Sequence, residues 1–453
     1  QYIMNDGISM EISGNDCKMK KNCFLIVEDC NFNLYETARQ YVTRASEKVV
    51  LHILSPNYML RNFMKSNEDV VDADPKYIAQ FVPEYVNTKR NIAVHLIRKM
   101  LQYPVAETTV REELEKSEAW GQDFNGLEDI KELIRLVVPV EHFGERDLMI
   151  SYGRHFDKEE GITTQEKYYH INSSSIKNHF NRYFQKACYI AENGEKCHIN
   201  KLILAGHLDQ KYLKGQLVVF NGLYYEIVKR RITSYEYILQ VRRASEQILG
   251  RRYYRQDRYY ELKKVEDYPY TPMDCQVKSL SVSSYMADIS VKTRGYYVCR
   301  GWNEIADAAY IVLNEEDVRP RSYISKQFLK VKITIENLEE AKAVAVQMAC
   351  LFQESFCTLY PQQYHLLSVA VDREKYIEKE DEEILKGVLS DIKIEEQEEE
   401  VCFYIIEDSM EDMGLLRSIE RNFRRIQALL SEYMQWNEKS GDEYLAFGKN
   451  IAG

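Results

Sequence analysis

Apolar and polar positions change their period several times along this chain. Phe24-Leu-Ile-Val27 and Val49-Val-Leu-His-Ile-Leu54 are continuous apolar runs of strand length, and Asn33 to Ser46 between them suits a helix. Two buried strands joined through a helix are the mark of a parallel sheet. Residues 1–65 are therefore expected to be the end of an α/β domain. From Pro75 to Leu101 the spacing turns helical, with Ile92, Leu96 and Met100 in step. Thr108 to Leu114 and Leu127 to Val137 predict two short helices around a Gly-containing turn, followed by a β-prone stretch from Val138 to Tyr152. Residues 66–160 are expected to hold a helical linker and a winged-helix-like module. Residues 161–212 are expected to be helical, at Ile176 to Tyr189 and Ile199 to Leu208.

Residues 213–335 are β-rich. Asn221-Gly222 between two alternating runs predicts a tight hairpin, because both residues tolerate the positive φ of a type I′ turn. Val277 to Val282 and Tyr296 to Cys299 predict further strands. Residues 336–453 read as a C-terminal α+β domain. It comprises a helix from Leu338 to Phe356 striped by Ala341, Ala345, Met348 and Leu351, a buried strand at Cys402 to Ile406, and an amphipathic helix from Gly414 to Trp436. The last helix gathers Leu415, Ile419, Phe423, Ile426, Leu430 and Tyr433 on one face. The fold class expected is α+β and multidomain. Cys23-Phe-Leu-Ile-Val-Glu-Asp29 and Cys402-Phe-Tyr-Ile-Ile-Glu-Asp408 echo each other, each a strand ending in an acidic pair before a helix. Such carboxylates suit the capping of a helix N-terminus.

Charge adds a local feature. The chain of 453 residues carries a formal net charge of −11, yet Lys229 to Lys264 holds eleven Lys or Arg against four Asp or Glu. Tyr235, Tyr237, Tyr253, Tyr254, Tyr259 and Tyr260 interleave with these cations. Arginines that take phosphates beside rings that stack unpaired bases are how sequence-tolerant single-strand binders work. The candidate nucleic-acid-binding residues are Arg230, Arg231, Arg242, Arg243, Arg251, Arg252, Tyr253, Tyr254, Arg255 and Arg258. The same residue types populate protein interfaces, so a protein-interaction module is the alternative. A third reading is a nuclease with an acidic site around Glu28-Asp29 or Glu407-Asp408.

Several chemistries are missing from the sequence. It has no G-x-x-x-x-G-K-[S/T] phosphate loop, no G-x-G-x-x-G, no H-E-x-x-H and no C-x-x-C. The ten cysteines lack short-spaced pairs, so reduced buried thiols of a cytoplasmic protein are expected, and neither a catalytic residue nor a metal ligand is assigned. The acidic runs Glu378 to Glu383 and Glu395 to Glu400 read as solvated. No apolar run reaches the ~20 residues of a membrane span. Gln1 is not an initiator methionine, and the chain is expected to be part of something longer.

Taken in order, four stretches resemble the region that follows the motor domains in large bacterial superfamily-two DEAD/DEAH helicases of the MrfA-like type. Arg39-Gln-Tyr-Val-Thr-Arg-Ala-Ser46 before Val49 to Pro56 resembles the last helicase motif and its closing strand, which implies that residues 1–65 end a RecA-like domain. Residues 74–101 resemble the post-motor linker. Gly215 to Val228 with Val241 to Tyr254 resembles the family's small β module, and Phe403 to Leu416 its C-terminal strand, acidic turn and helix. Here Tyr41-Val42-Thr43 replaces the motif's glycine centre, and the family's zinc cysteines have no counterpart. The resemblance implies DNA as partner, single-stranded by preference, alongside the missing motor domains and other subunits. ATP and Mg are expected for the complete protein, with no cofactor in this chain. Anti-phage defence helicases such as the Druantia kind share the layout.

Overall fold

The computed structural model describes residues 88–430, apart from 157–160, 162, 182–183, 192–193, 195, 205–211, 221–222, 233–235, 245–252, 267–279, 300–308, 315–317, 319, 361–362, 378–388, 396–399 and 429; upstream it describes four strands. Those strands are β1 (Tyr2–Ile3), β2 (Ser9–Met10), β3 (Cys23–Val27) and β4 (Val49–Ile53). β3 and β4 pair in parallel from Cys23↔Val49 to Val27↔Ile53. This is the pairing that two continuous apolar runs predict, while the helix expected between them lies outside the described residues.

Helix α1 (Lys89–Gln102) starts where the Thr88 side chain accepts the Asn91 N–H, and buries Ile92, Leu96, Ile97 and Met100. After β5 (Val105–Ala106) come α2 (Glu107–Glu115) and α3 (Leu127–Val137). The apolar stripe Ile130, Leu133, Ile134 and Val137 turns α3 inward. Strands β6 (Leu148–Phe156) and β7 (Thr163–Ile171) complete a three-stranded sheet in the order β5-β7-β6. α4 (Ser174–Asn181) follows.

The expected helices across 184–208 are strands instead: β8 (Phe184–Ala191) and β9 (Lys196–Leu204). β8 pairs in parallel with β12 (Glu236–Arg243), some fifty residues away, and antiparallel with β9. A distant partner decides between helix and strand where a short apolar run leaves both open. β10 (Leu217–Phe220) and β11 (Leu223–Ile232) complete this five-stranded sheet, in the order β10-β11-β12-β8-β9. Phe220 pairs with Leu223, as the hairpin signal requires; the turn residues Asn221 and Gly222 lie outside the described residues.

The remaining strands are β13 (Tyr253–Glu266), β14 (Leu280–Cys299), β15 (Ala309–Val312), β16 (Arg321–Ile333), β17 (Leu367–Val371), β18 (Ser390–Ile394) and β19 (Cys402–Glu407). In place of the two short strands expected at 277–299, β14 is a single strand of 20 residues. Its length lets it pair with β16 on one edge and β13 on the other, and β13 also pairs with β18. With β18-β17-β19-β16 already in sequence, the pairings close into a ring of six strands, and β15 extends β14 at one margin.

One face of this ring, formed by Leu329, Val331, Val369, Phe403 and Ile405, packs beneath α5 (Leu338–Leu359) and α6 (Leu415–Arg421). Phe352 of α5 lies 5.5 Å from the Phe403 ring and 5.6 Å from Phe423. Asn337 caps α5 by accepting the N–H groups of Glu339 and Glu340. The opposite face contributes Leu262, Ile289, Tyr323, Tyr404 and Ile406 to a cluster that continues into α1 and α3. The fold is thus an α+β assembly of several sheets. No helix among the described residues is long and apolar enough to cross a membrane.

Candidate nucleic-acid interface

The basic tract is divided between two sheets. In the five-stranded sheet, β11 and β12 pair with a register shift between Ile227 and Lys229. Alternation beyond that shift sends neighbouring cations to opposite faces. Arg230 joins the buried face with Leu239 and Tyr237, its guanidinium 5.4 Å from the Tyr237 ring, and only 3% of the residue is exposed. Lys229 and Arg231 take the other face and are exposed, with Arg242 on the same side. Arg242 pairs with Glu226 at 3.0 Å while remaining half exposed. Arg243 is exposed at the end of β12.

The second half of the tract enters the ring through β13. Arg251 and Arg252 lie outside the described residues, and Tyr253, Tyr254 and Arg255 are placed in β13 without describable side chains. Arg258 points inward. Its Nη1 donates to Ser368 Oγ at 2.9 Å and sits 3.6 Å from Asp408 Oδ2, while its Nε donates to Gln256 at 2.8 Å. It is sealed from solvent, so it holds the interior together where the tract pattern predicts a phosphate contact. Tyr260 is likewise fully buried, and burial pushes its phenol pKa up.

Asp408 is the centre of a buried polar layer that the sequence did not reveal as such. Arg321 reaches it with Nη2 at 2.5 Å and Nε at 3.3 Å, and the Tyr323 hydroxyl also donates to it. Burial alone would raise the Asp408 carboxyl, but the two guanidiniums hold it at about 2. Its neighbour Glu407 accepts the N–H groups of Met413 at 2.9 Å and Leu415 at 3.3 Å, capping the loop that starts α6. Lys326, also buried, lies 3.4 Å from Glu407 and donates to Ser409 Oγ at 3.0 Å and to the Glu411 carbonyl at 2.9 Å. Burial lowers its pKa, against the pull of Glu407. The acidic pair at the end of β19 is therefore structural, with Glu407 as the cap and Asp408 as counter-ion. Both carboxylates are buried and engaged, which removes the basis for an open acidic site there. Glu28-Asp29 lies outside the described residues.

The outer face of the ring supplies residues that the tract did not include. Arg294 lies 3.9 Å from the Tyr259 ring and 2.9 Å from Asp391. The rings of Tyr297 and Tyr310 are 4.7 Å apart, and the Tyr310 hydroxyl donates to Asp257 at 3.0 Å. Asp257 is in turn paired with Arg373 at 2.8 Å. Of the acidic run ending at Glu400, that residue bridges Lys330 at 2.7 Å and Lys332, and these two ammonium donors hold its carboxyl at about 2. Among the described residues, no group of three or more His, Cys, Asp or Glu is arranged to hold a metal.

No protein-family model matches the chain, and no curated protein does. Among solved structures it is similar to the DUF1998 helicase MrfA. One crystal structure of MrfA is 9% identical with a TM-score of 0.40, over 91% of this chain and 50% of that one. MrfA bound to DNA is 11% identical with a TM-score of 0.36, over 86% of this chain and 44% of that one. For MrfA bound to DNA and AMPPNP the values are 11% and 0.30, over 88% and 44%. The chain thus spans half or less of the length of the structures it matches.

Proposed function

We propose that this chain is a nucleic-acid-binding accessory region of an ATP-dependent helicase or translocase, with the ATP site outside it. The observation that carries the reading is the exposed cationic face of β11 and β12, with Lys229, Arg231 and Arg242 on one side of the sheet in a chain of net charge −11. A basic surface within an acidic protein confines polyanion contact to one place. In this reading the tract residues Arg243, Arg251, Arg252, Tyr253, Tyr254 and Arg255 contribute from outside that face. The motor is placed outside the chain because the sequence has no phosphate loop. The collinear resemblance to superfamily-two helicases supports the same assignment, with phage defence and a cytoplasmic setting as its biological context.

We read residues 89–171 as a winged-helix-like module, a reading supported by the order α1-β5-α2-α3-β6-β7 and the β5-β7-β6 sheet. Here α3 carries Glu128, Lys131, Glu132 and Arg135 away from its apolar stripe, and Lys131 is paired with Glu128 at 2.8 Å. A face of balanced charge favours packing as the module's role over reading DNA.

The alternative, a protein interface, is favoured by one observation: Arg242 is already neutralised by Glu226. A salt titration of binding to a single-stranded oligonucleotide decides between them. Replacing Arg231 and Arg242 by Ala should lower the slope of log affinity against log salt by about 0.7 for each phosphate no longer neutralised. Absence of affinity in the parent chain at low salt would replace this reading with the interaction module.

A further inference from the structure

We propose that the inside of the strand ring holds a small monovalent anion, of the size of chloride, at Arg258, with Gln256, Thr293 and Tyr260 as its other donors. The site lies away from the exposed cations of β11 and β12 and does not depend on the nucleic-acid reading above.

The register brings these side chains together. Between Asp257↔Gly295 and Arg258↔Thr293 the ladder shifts, leaving Arg294 as an extra residue. Such a bulge re-aims the side chains beside it. Arg258 and Thr293 are register partners, and both are buried. Tyr260, two residues further along β13, shares their face. Gln256 is held on the same side, because its Oε1 accepts from Arg258 Nε at 2.8 Å. β17 adds Ser368, which accepts from Arg258 Nη1 at 2.9 Å, and the end of β19 adds Asp408.

Around Arg258 donors outnumber acceptors. Among the described residues Asp408 is its one ion-pair partner, at 3.6 Å and without a hydrogen bond. The Asp408 oxygens are taken by two nitrogens of Arg321 and by the Tyr323 hydroxyl. Among the described residues, Arg258 Nη2 and Gln256 Nε2 have no acceptor, and Thr293 Oγ1, on a residue 3% exposed, has no partner. The fully buried Tyr260 hydroxyl, beside Ser368, also lacks an acceptor. The other described charges nearby engage one another. Asp257 turns to the opposite side of β13 and pairs with Arg373 at 2.8 Å, Asp391 pairs with Arg294 at 2.9 Å, and Lys326 lies 3.4 Å from Glu407.

The donor chemistry selects the occupant. Interior polar groups are rarely left unpaired, because each gives up its bonds to water. Arg258 Nη2 and Gln256 Nε2 can only donate. A water molecule would accept from them but would need acceptors for its own two protons. An anion accepts from all four groups and offsets the guanidinium charge that Asp408 meets only at a distance. Burial sets the size. Arg258 is 4% exposed and Tyr260 0%, so a nucleic-acid phosphate does not reach the site and a single-atom anion suits it. Gln256, only half-buried, is where the layer approaches solvent.

The test follows the urea midpoint of the full chain, without nucleic acid, as sodium chloride replaces sodium gluconate at constant ionic strength. The midpoint should rise with chloride, as binding to the folded state alone requires. Thr293→Val should raise the chloride concentration needed for a given rise about 10-fold. Thr293→Ser keeps the hydroxyl and should match the parent. Arg258→Leu should abolish the response, whereas Arg231→Ala/Arg242→Ala should retain it in full, because exposed cations take no part. The chloride NMR linewidth gives a second readout that does not depend on stability: it should broaden with the folded parent and much less with Thr293→Val. If Arg258→Leu fails to fold, that comparison decides. Equal midpoints in chloride and gluconate would overturn the site. So would a chloride response that Thr293→Val and Arg258→Leu share with the parent, and water would then be the occupant.

Discussion

Arg258 and Asp408 lie 3.6 Å apart, both sealed from solvent, and tie β13 to the end of β19 across the inside of the ring. Arg321 contacts the same carboxylate with two nitrogens, so the pair is unequal. Removing one partner of a buried pair leaves an uncompensated charge, which costs about 3–5 kcal/mol. Arg321→Leu should lower the unfolding free energy in urea by that amount. Arg258→Leu should cost less, because Asp408 keeps its two-nitrogen partner, and should leave the salt slope of nucleic-acid binding as in the parent. A change in that slope would return Arg258 to the binding surface.

Acid should weaken the protein through the same site. Asp408 is held at about 2 in the folded chain, below the ~3.9 of an unfolded aspartate. The fold therefore favours the ionised form. That contribution is whole above about pH 5 and disappears as pH falls to about 2, amounting to about 2–3 kcal/mol. Glu400, also held at about 2, acts in the same direction but is 41% exposed and screened by solvent. Urea midpoints at pH 7 and pH 3 should register about half of that loss, and Asp408→Asn should flatten it.

Gly215 joins the five-stranded sheet to the ring. Its φ of +87° suits glycine, and a Cβ would meet the Tyr296 hydroxyl at 2.7 Å. That hydroxyl donates to the Lys214 carbonyl, beside Leu213, which packs with Tyr296, Leu313 and Val318. Gly215→Ala should destabilise by about 1–3 kcal/mol, from backbone strain and the displaced ring. Tyr296→Phe should cost about 1 kcal/mol. Calorimetric unfolding of the two variants tests that order.

Cys350 and Cys402 are buried thiols outside any disulfide, Cys350 against the α5 core and Cys402 with its sulfur 2.9 Å from the Tyr404 hydroxyl. Both should resist a thiol reagent in the native protein and react once it is unfolded. Peptide mapping after native labelling checks this, and rapid labelling of Cys402 would show that the ring opens at β19.

Strong local period marks several elements, although the stripe read as one helix from Gly414 to Trp436 is interrupted at Asn422, where α6 ends. The 3.6-residue stripe of Ile130, Leu133, Ile134 and Val137 marks α3 at its observed bounds, and Ala341 and Ala345 mark α5. The continuous runs of β3, β4 and β19 are legible as strands, and Phe220 pairs with Leu223 as the Asn221-Gly222 signal predicts. These features depend on neighbours a few residues apart, whose preferences are written in one short stretch.

What depends on distant partners is not legible. The apolar runs of β8 and β9 suit a helix as well as a strand, and β12 decides by supplying an edge to pair with. Composition alone joins Arg230, Arg231 and Arg258 in one basic tract, but a strand sends alternate residues to opposite faces, and a bulge resets the alternation. Arg231 is therefore outside, while Arg230 lies against Tyr237 and Arg258 against Asp408. Lys292, Arg294, Tyr297 and Tyr310 lie some thirty to fifty residues beyond the tract, yet the β13–β14–β15 register sets them beside it. The sequence by itself determined the length and period of many elements and the presence of a basic, tyrosine-rich stretch. The tertiary structure decided which of its cations face water, because burial is settled by the strand that pairs across and the layer that packs behind.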